Sequence, residues 1–144
     1  MKQIISLIIA LVLMLSSFTV FSENEVSVLK DGEKLTFDVN PYIDDDTTMV
    51  PMRGIFESIG AEVSWDNDTK TVIAFYDVDE EQKVLILQIG CDYAFLNGNR
   101  ISFEKSAVIV GDRTFVPLRA VKESLDHNVD WDQDTYTVII TTKW

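Results

Sequence analysis

The sequence predicts an α+β domain made of two tandem β-β-α-β-β repeats, each an antiparallel sheet wrapped on a short helix. Three observations carry this prediction. First, the stretch VPMRGIFESIGAEVSWDNDTKTVI, Val50 to Ile73, returns as VPLRAVKESLDHNVDWDQDTYTVI, Val116 to Ile139, at a constant offset of 66 residues. Second, the offset extends upstream without a gap, so that Asp31-Gly32 falls on Asn97-Gly98, Phe37 on Phe103, Ile43 on Ile109 and Thr48 on Thr114. Third, each stretch passes from strand-like alternation to helical spacing and back to alternation. An ungapped register over roughly fifty positions marks one supersecondary unit duplicated whole.

Each copy opens on a hairpin. Asp31-Gly32 and Asn97-Gly98 suit a tight turn that needs φ > 0 at both central residues. They join Val26–Lys30 to Lys34–Asp38, and Tyr93–Leu96 to Arg100–Glu104. Short β-prone runs, Thr48-Met49-Val50 and Thr114-Phe115-Val116, end at Pro51 and Pro117. Proline has no N–H for a ladder but suits a helix start, which predicts helices over Met52–Ile59 and Leu118–Leu125. Met52, Ile55, Phe56 and Ile59 share one helical face, as do Leu118, Val121 and Leu125. Gly60 suits a left-handed helix end; its counterpart Asp126 fits that conformation less easily, so the second helix end should be the more strained.

A second hairpin closes each copy. Glu62–Trp65 and Asn128–Trp131 alternate, Asp-Asn-Asp and Asp-Gln-Asp turn the chain, and Thr69–Tyr76 and Thr135–Thr142 return. The copies span about residues 26–79 and 92–144, and the apolar strand 83–90 joins them without an equivalent elsewhere. Asp77–Gln82 reads as an acidic loop, too short to separate two independent domains.

The first 22 residues have the anatomy of a secretory signal: Lys2, an apolar run from Ile4 to Leu15, then small and polar residues up to Ser22. Cleavage after Ser22 is expected, an uncleaved anchor being the alternative, and residues 23–144 form the exported domain. Loss of residues 1–22 removes one lysine and no acid, taking the net charge from −12 to −13. A surface so acidic argues against nucleic acid as a partner, and against membrane contact beyond the signal segment. Cys91 is the only cysteine, so no intramolecular disulfide exists and the fold depends on its apolar core. Between Gly90 and Asp92 it reads as turn filler.

With V-P-(M/L)-R, E-S, V-x-W-D and T-x-T-V-I in both copies, the chain from about Val26 to Trp144 resembles the copper amine oxidase N-terminal-like domain. That is a stalk-type module common in secreted and cell-wall proteins of Gram-positive bacteria. The resemblance implies a β-β-α-β-β unit and no oxidase chemistry, since copper and the tyrosine-derived quinone belong to a separate domain of the oxidases. The one histidine, His127, could not supply the several imidazoles such copper needs, and it reads as solvent-facing or capping. Neither a cofactor nor a metal is expected.

The repeated polar and aromatic residues are the candidates for function. Arg53 and Arg119 stand four residues before Glu57 and Glu123, within ion-pair reach along a helix; a salt bridge orienting the helix is one reading, an anion site the other. Trp65 and Trp131 are either hairpin anchors or sugar-stacking faces, with Asp66 and Asp132 beside them. Pro51, Pro117, Glu57, Glu123, Asp66 and Asp132 are read as the structural frame of the motif. Asp44-Asp45-Asp46 and Asp66-Asn67-Asp68 are oxygen-rich, but neither has the spacing of an EF-hand loop. No nucleophile motif, zinc-binding helix or phosphate loop occurs, so an enzyme is not expected. The expected function is a non-enzymatic extracellular or cell-wall module that contacts protein or glycan or serves as a stalk. The alternative is a small-ligand or glycan receptor using Trp65, Trp131, Arg53 and Arg119.

Overall fold

A computed structural model describes residues 25–126 and 128–142. The expected signal segment, His127 and Trp144 lie outside the described residues. The first stretch folds as β1 (Ser27–Lys30), β2 (Glu33–Leu35), β3 (Tyr42–Asp44), β4 (Thr47–Pro51), α1 (Met52–Ser58), β5 (Glu62–Asp66) and β6 (Thr71–Val78). Then comes β7 (Glu81–Gln88). The second stretch repeats the order as β8 (Tyr93–Leu96), β9 (Asn99–Ser102), β10 (Val108–Val110), β11 (Arg113–Pro117), α2 (Leu118–Ser124), β12 (Val129–Asp132) and β13 (Thr137–Ile140). The described residues are thus mostly β with two short helices, an α+β fold. The helices begin at the expected residues and end one residue early, where Gly60 and Asp126 turn left-handed at φ 89° and 51°.

Each stretch carries one hairpin more than a β-β-α-β-β unit. β3–β4 turns at Asp45-Asp46, with φ 45° and 64°, and β10–β11 at Gly111-Asp112, with φ 55° and 61°. The opening hairpins turn as expected, with φ of 50° and 83° at Asp31-Gly32 and of 49° and 81° at Asn97-Gly98. The expected acidic loop at 77–82 is instead a two-residue turn. Asp79 and Glu80 take φ of 49° and 67°, while Asp77 pairs with Gln82 and Val78 with Glu81.

The sheets are not assembled copy by copy, and this departs from the tandem expectation. Their strand orders are β12-β13-β1-β2, β10-β11-β4-β3 and β5-β6-β7-β8-β9. β4 and β11 pair antiparallel with Val50 facing Val116, two positions 66 residues apart. β1 lies parallel to β13, so that sheet is mixed where a wholly antiparallel one was expected. Each of these three sheets therefore draws strands from both stretches. Alternation directs the packing: along β6, Val72, Ala74, Tyr76 and Val78 point inward, and along β7, Leu85 and Leu87 do. These side chains join Val28, Val50, Ile55, Phe56, Val116, Val121 and Ile140 in one core drawn from both stretches. At about 1.5–3 kcal/mol for each large apolar side chain fully buried, this shared core outweighs any surface contact described below.

Candidate functional site

Pro51 and Pro117 end β4 and β11, buried, and hand the chain to the helices. The first full helical turn then carries Arg53 or Arg119 outward beside the closing hairpin of the same stretch. Asp66 and Asp132 build the turn of that hairpin. The Asp66 Oδ1 accepts the Asp68 and Thr69 N–H groups at 2.9 and 3.3 Å, and the Asp132 Oδ1 accepts those of Asp134 and Thr135 at 2.9 and 3.4 Å. These backbone hydrogen bonds hold the Asp66 carboxyl below its ordinary range. Both aspartates are thus engaged with their own turns, an Asx device that fixes where the preceding tryptophan points.

Trp65 and Trp131 each pack one part of the ring on the core and leave the rest to line a groove. The first groove, about 470 Å³, runs between Met52 and Arg53 of α1, Trp65, Asn67 and Lys70 of the β5–β6 hairpin, and Ile109, Asp112, Arg113 and Thr114 of the β10–β11 hairpin. The second, about 520 Å³, is set between Leu118, Arg119 and Glu123 of α2, Trp131 and Gln133 of the β12–β13 hairpin, and Asp46, Thr47 and Thr48 of the β3–β4 hairpin. Seven positions correspond at the offset of 66: 46/112, 47/113, 48/114, 52/118, 53/119, 65/131 and 67/133. In both grooves one wall comes from each stretch of the chain, a consequence of the cross-pairing of β4 with β11.

The arginines face solvent. Arg53 and Glu57 approach to 3.9 Å with about half of each side chain exposed, and Arg119 and Glu123 also stand at 3.9 Å. Exposed pairs at this length contribute roughly 0–1 kcal/mol, so neither guanidinium is committed to holding the fold. Both remain able to bind an anion in a fork. Glu57 lies outside the first groove, in a side channel of about 310 Å³ that shares Arg53 and Arg113 with it; Glu123 lies inside the second.

Groove residues that were not among the sequence candidates include Lys70, Ile109, Asp112 and Arg113. Ile109 is nearly half exposed, as is its counterpart Ile43. Their hairpins approach the motif only after long-range pairing, which local periodicity does not reveal. One signal was present, because Lys70 and Arg113 stand where the other stretch has Tyr136 and Thr47.

Nothing in the donor set suits copper. Several imidazoles are required, the sequence has one histidine, and among the described residues no three His, Cys, Asp or Glu side chains converge. The acidic run at 44–46 is answered by Lys105, whose Nζ lies 2.9 Å from the Asp44 Oδ2 and 3.4 Å from the Asp45 Oδ2. Cys91 follows the turn after β7, where its thiol lies 3.6 Å from the Gln88 Oε1.

A comparison with curated proteins finds no match to the chain. The family model described as copper amine oxidase N-terminal domain matches residues 29–140, both stretches and the strand between them, and the chain belongs to this family, that of a non-catalytic accessory domain.

Proposed function

We propose that the chain is a non-enzymatic extracellular binding module, exported by residues 1–22, that holds glycan in two grooves supplied by a duplicated unit. The observation that carries this reading is the placement of the Trp65/Arg53 and Trp131/Arg119 sets. Both line open grooves, and neither is consumed by packing or by tight ion pairs. An aromatic face flanked by a guanidinium suits a pyranose ring, which offers C–H groups to the ring and hydroxyls to the fork. Grooves of these volumes lie within the range of small-ligand sites, roughly 300–1,000 Å³. In each unit, Pro51 or Pro117 starts the helix and Asp66 or Asp132 turns the hairpin that carries the tryptophan.

The test is retention of the mature protein on purified cell-wall glycan, followed by titration with soluble oligosaccharides monitored by tryptophan fluorescence. The expected result is retention that falls about tenfold in Arg53→Ala/Arg119→Ala, whose side chains are exposed and whose loss leaves the core intact. Absence of retention on glycan, with capture of a specific surface protein instead, sinks the glycan reading.

A further inference from the structure

We infer that the two grooves are not equivalent, and that the first is a site for an acidic glycan, a sugar chain carrying carboxylate or phosphate groups. This rests on the reading of the grooves as glycan sites and adds the ligand's charge and the groove that takes it. The first groove presents Arg53, Lys70 and Arg113, with Asp112 as the one carboxylate in its lining and with Asp38 and Glu57 paired to Arg113 and Arg53 from the side channel. The second presents Arg119 and Lys122 against Asp46, Glu104 and Glu123. The first groove's extra cations come from substitutions at corresponding positions, since Lys70 stands where the second groove has Tyr136 and Arg113 where it has Thr47.

The aromatic side of the site differs in the same direction. In the second groove the Trp131 Nε1 donates to the Gln133 Oε1 at 3.0 Å, and the Tyr136 ring stands edge-on to the indole at 6.0 Å. Those contacts tie the indole to its own hairpin. In the first groove Asn67, one carbon shorter than Gln133, accepts from the Lys70 Nζ at 2.8 Å. That bond holds the ammonium on the hairpin that carries Trp65. Ile109 supplies an exposed apolar wall opposite. A ring face, an apolar wall and three cations match a sugar that has both a C–H face and an anionic substituent.

The cations are available. Arg113 pairs with Asp38 and Arg53 with Glu57, but all four side chains are about half exposed or more, and both acids lie in the side channel beyond the groove. An entering anion meets guanidinium groups held by weak, exchangeable partners. The net charge of −12 does not prevent this. At physiological ionic strength charges further off than about 8 Å are largely screened, so a bound ligand meets the groove's three cations together with Asp112, Asp38 and Glu57, and it binds by exchanging with the last two for Arg113 and Arg53.

The experiment is calorimetric titration of the mature protein with four probes at about 0.15 M salt: polygalacturonate for carboxylate, a poly(glycerol phosphate) for phosphate, neutral dextran, and an oligothymidylate as a plain polyanion. One or both acidic glycans are expected to bind at least tenfold more tightly than dextran or the oligonucleotide. Which of the two is preferred identifies the anion. Lys70→Tyr/Arg113→Thr, which transplants the second groove's residues, is expected to weaken binding at least tenfold. Lys122→Ala, in the second groove, is expected to change it less than twofold. Equal binding of acidic glycan and dextran, lost in Arg53→Ala/Arg119→Ala and kept in Lys70→Tyr/Arg113→Thr, overturns this inference and leaves the glycan module standing. Equal binding of the oligonucleotide overturns the sugar assignment. Binding of none of the four overturns both.

Discussion

Tyr76 stands where the second stretch has Thr142, and it connects the two helices through the core. Its ring meets Phe56 of α1 edge-on at 5.1 Å, and its hydroxyl donates to the Ser124 carbonyl of α2 at 2.9 Å. Phe56 is buried in the core against this ring, while its counterpart Lys122 lines the second groove. That difference was visible in the sequence, but its cause was not, because Tyr76 and Phe56 meet only across the folded core. Removing the hydroxyl leaves the buried Ser124 carbonyl without this donor, so Tyr76→Phe should cost about 1–2 kcal/mol in urea unfolding. Burial above all holds the phenol well above its ordinary value, with Asp126 adding to the effect and the Ser124 hydrogen bond opposing it. An unfolded tyrosine loses its proton near pH 10 while the folded one keeps it, so the contribution is complete below about pH 10 and declines as pH rises further. The stability gap between wild type and Tyr76→Phe should therefore be constant from pH 6 to 9 and narrow above pH 10. A gap independent of pH would show that the hydroxyl is not buried.

The elements themselves were largely legible, since their signals are local. Pro51 and Pro117 mark the helix starts, and Asp31-Gly32 and Asn97-Gly98 take the positive φ that their residue types invite. The β3–β4 and β6–β7 turns escaped notice because Asp45-Asp46 and Asp79-Glu80 reach the same backbone conformation without a glycine. Cross-strand pairing of the flanking residues forces them into it. Helix ends show what such forcing costs. Gly60 closes α1 at φ 89°, and Asp126 follows α2 at φ 51°, where a side chain is strained by roughly 1 kcal/mol or more. Asp126 has a compensating partner in Lys83 of β7, whose ammonium lies 3.5 Å from the Asp126 Oδ2 and 2.9 Å from the Glu81 Oε2 with only 11% of the side chain exposed. Asp126 is itself 43% exposed, so its share of that network is modest. Asp126→Gly should thus be close to neutral, relief of strain offsetting the lost carboxylate. Gly60→Asp should destabilise by about 1 kcal/mol, as no Lys83 stands in the corresponding place. Parallel urea titrations of the two variants check this, and stabilisation of Asp126→Gly by about 1 kcal/mol, strain relieved with nothing lost, would refute a compensating role for Lys83.

At the scale of the molecule, one strand without a counterpart is explained by chain connection. β1 and β13 lie side by side and parallel, with Val28 beside Val138, Leu29 beside Ile139 and Lys30 beside Ile140. The corresponding positions in the five-stranded sheet are those of β8 and β6, which are also parallel but follow each other closely in sequence. Parallel neighbours cannot be joined by a tight turn, because the chain must first travel back along the strand. Here it does so inside the sheet as β7, inserted without loss of register: Val72–Leu87–Ala94, Ile73–Ile86–Phe95 and Ala74–Leu85–Leu96 are continuous rows. The sequence displayed this strand as an apolar run, and only the partner choice of its neighbours shows why it exists. Such pairing is long-range and leaves no local mark, which is also why the tandem arrangement expected from the repeat differs from the interlaced one observed. Interlacing has a mechanical consequence. Neither stretch can complete its sheets alone, since β1–β2 needs β13, β4 needs β11, and β5–β6 reaches β8–β9 only through β7. A protease site placed in the Asp79-Glu80 turn, which is exposed, should therefore give a nicked protein that still elutes as one species and melts in one cooperative transition. Separated in denaturant and diluted singly, the halves should show no cooperative melt; mixed in equal amounts, they should recover it. Independent cooperative melting of either half would mean that each repeat folds alone and would refute the interlaced sheets.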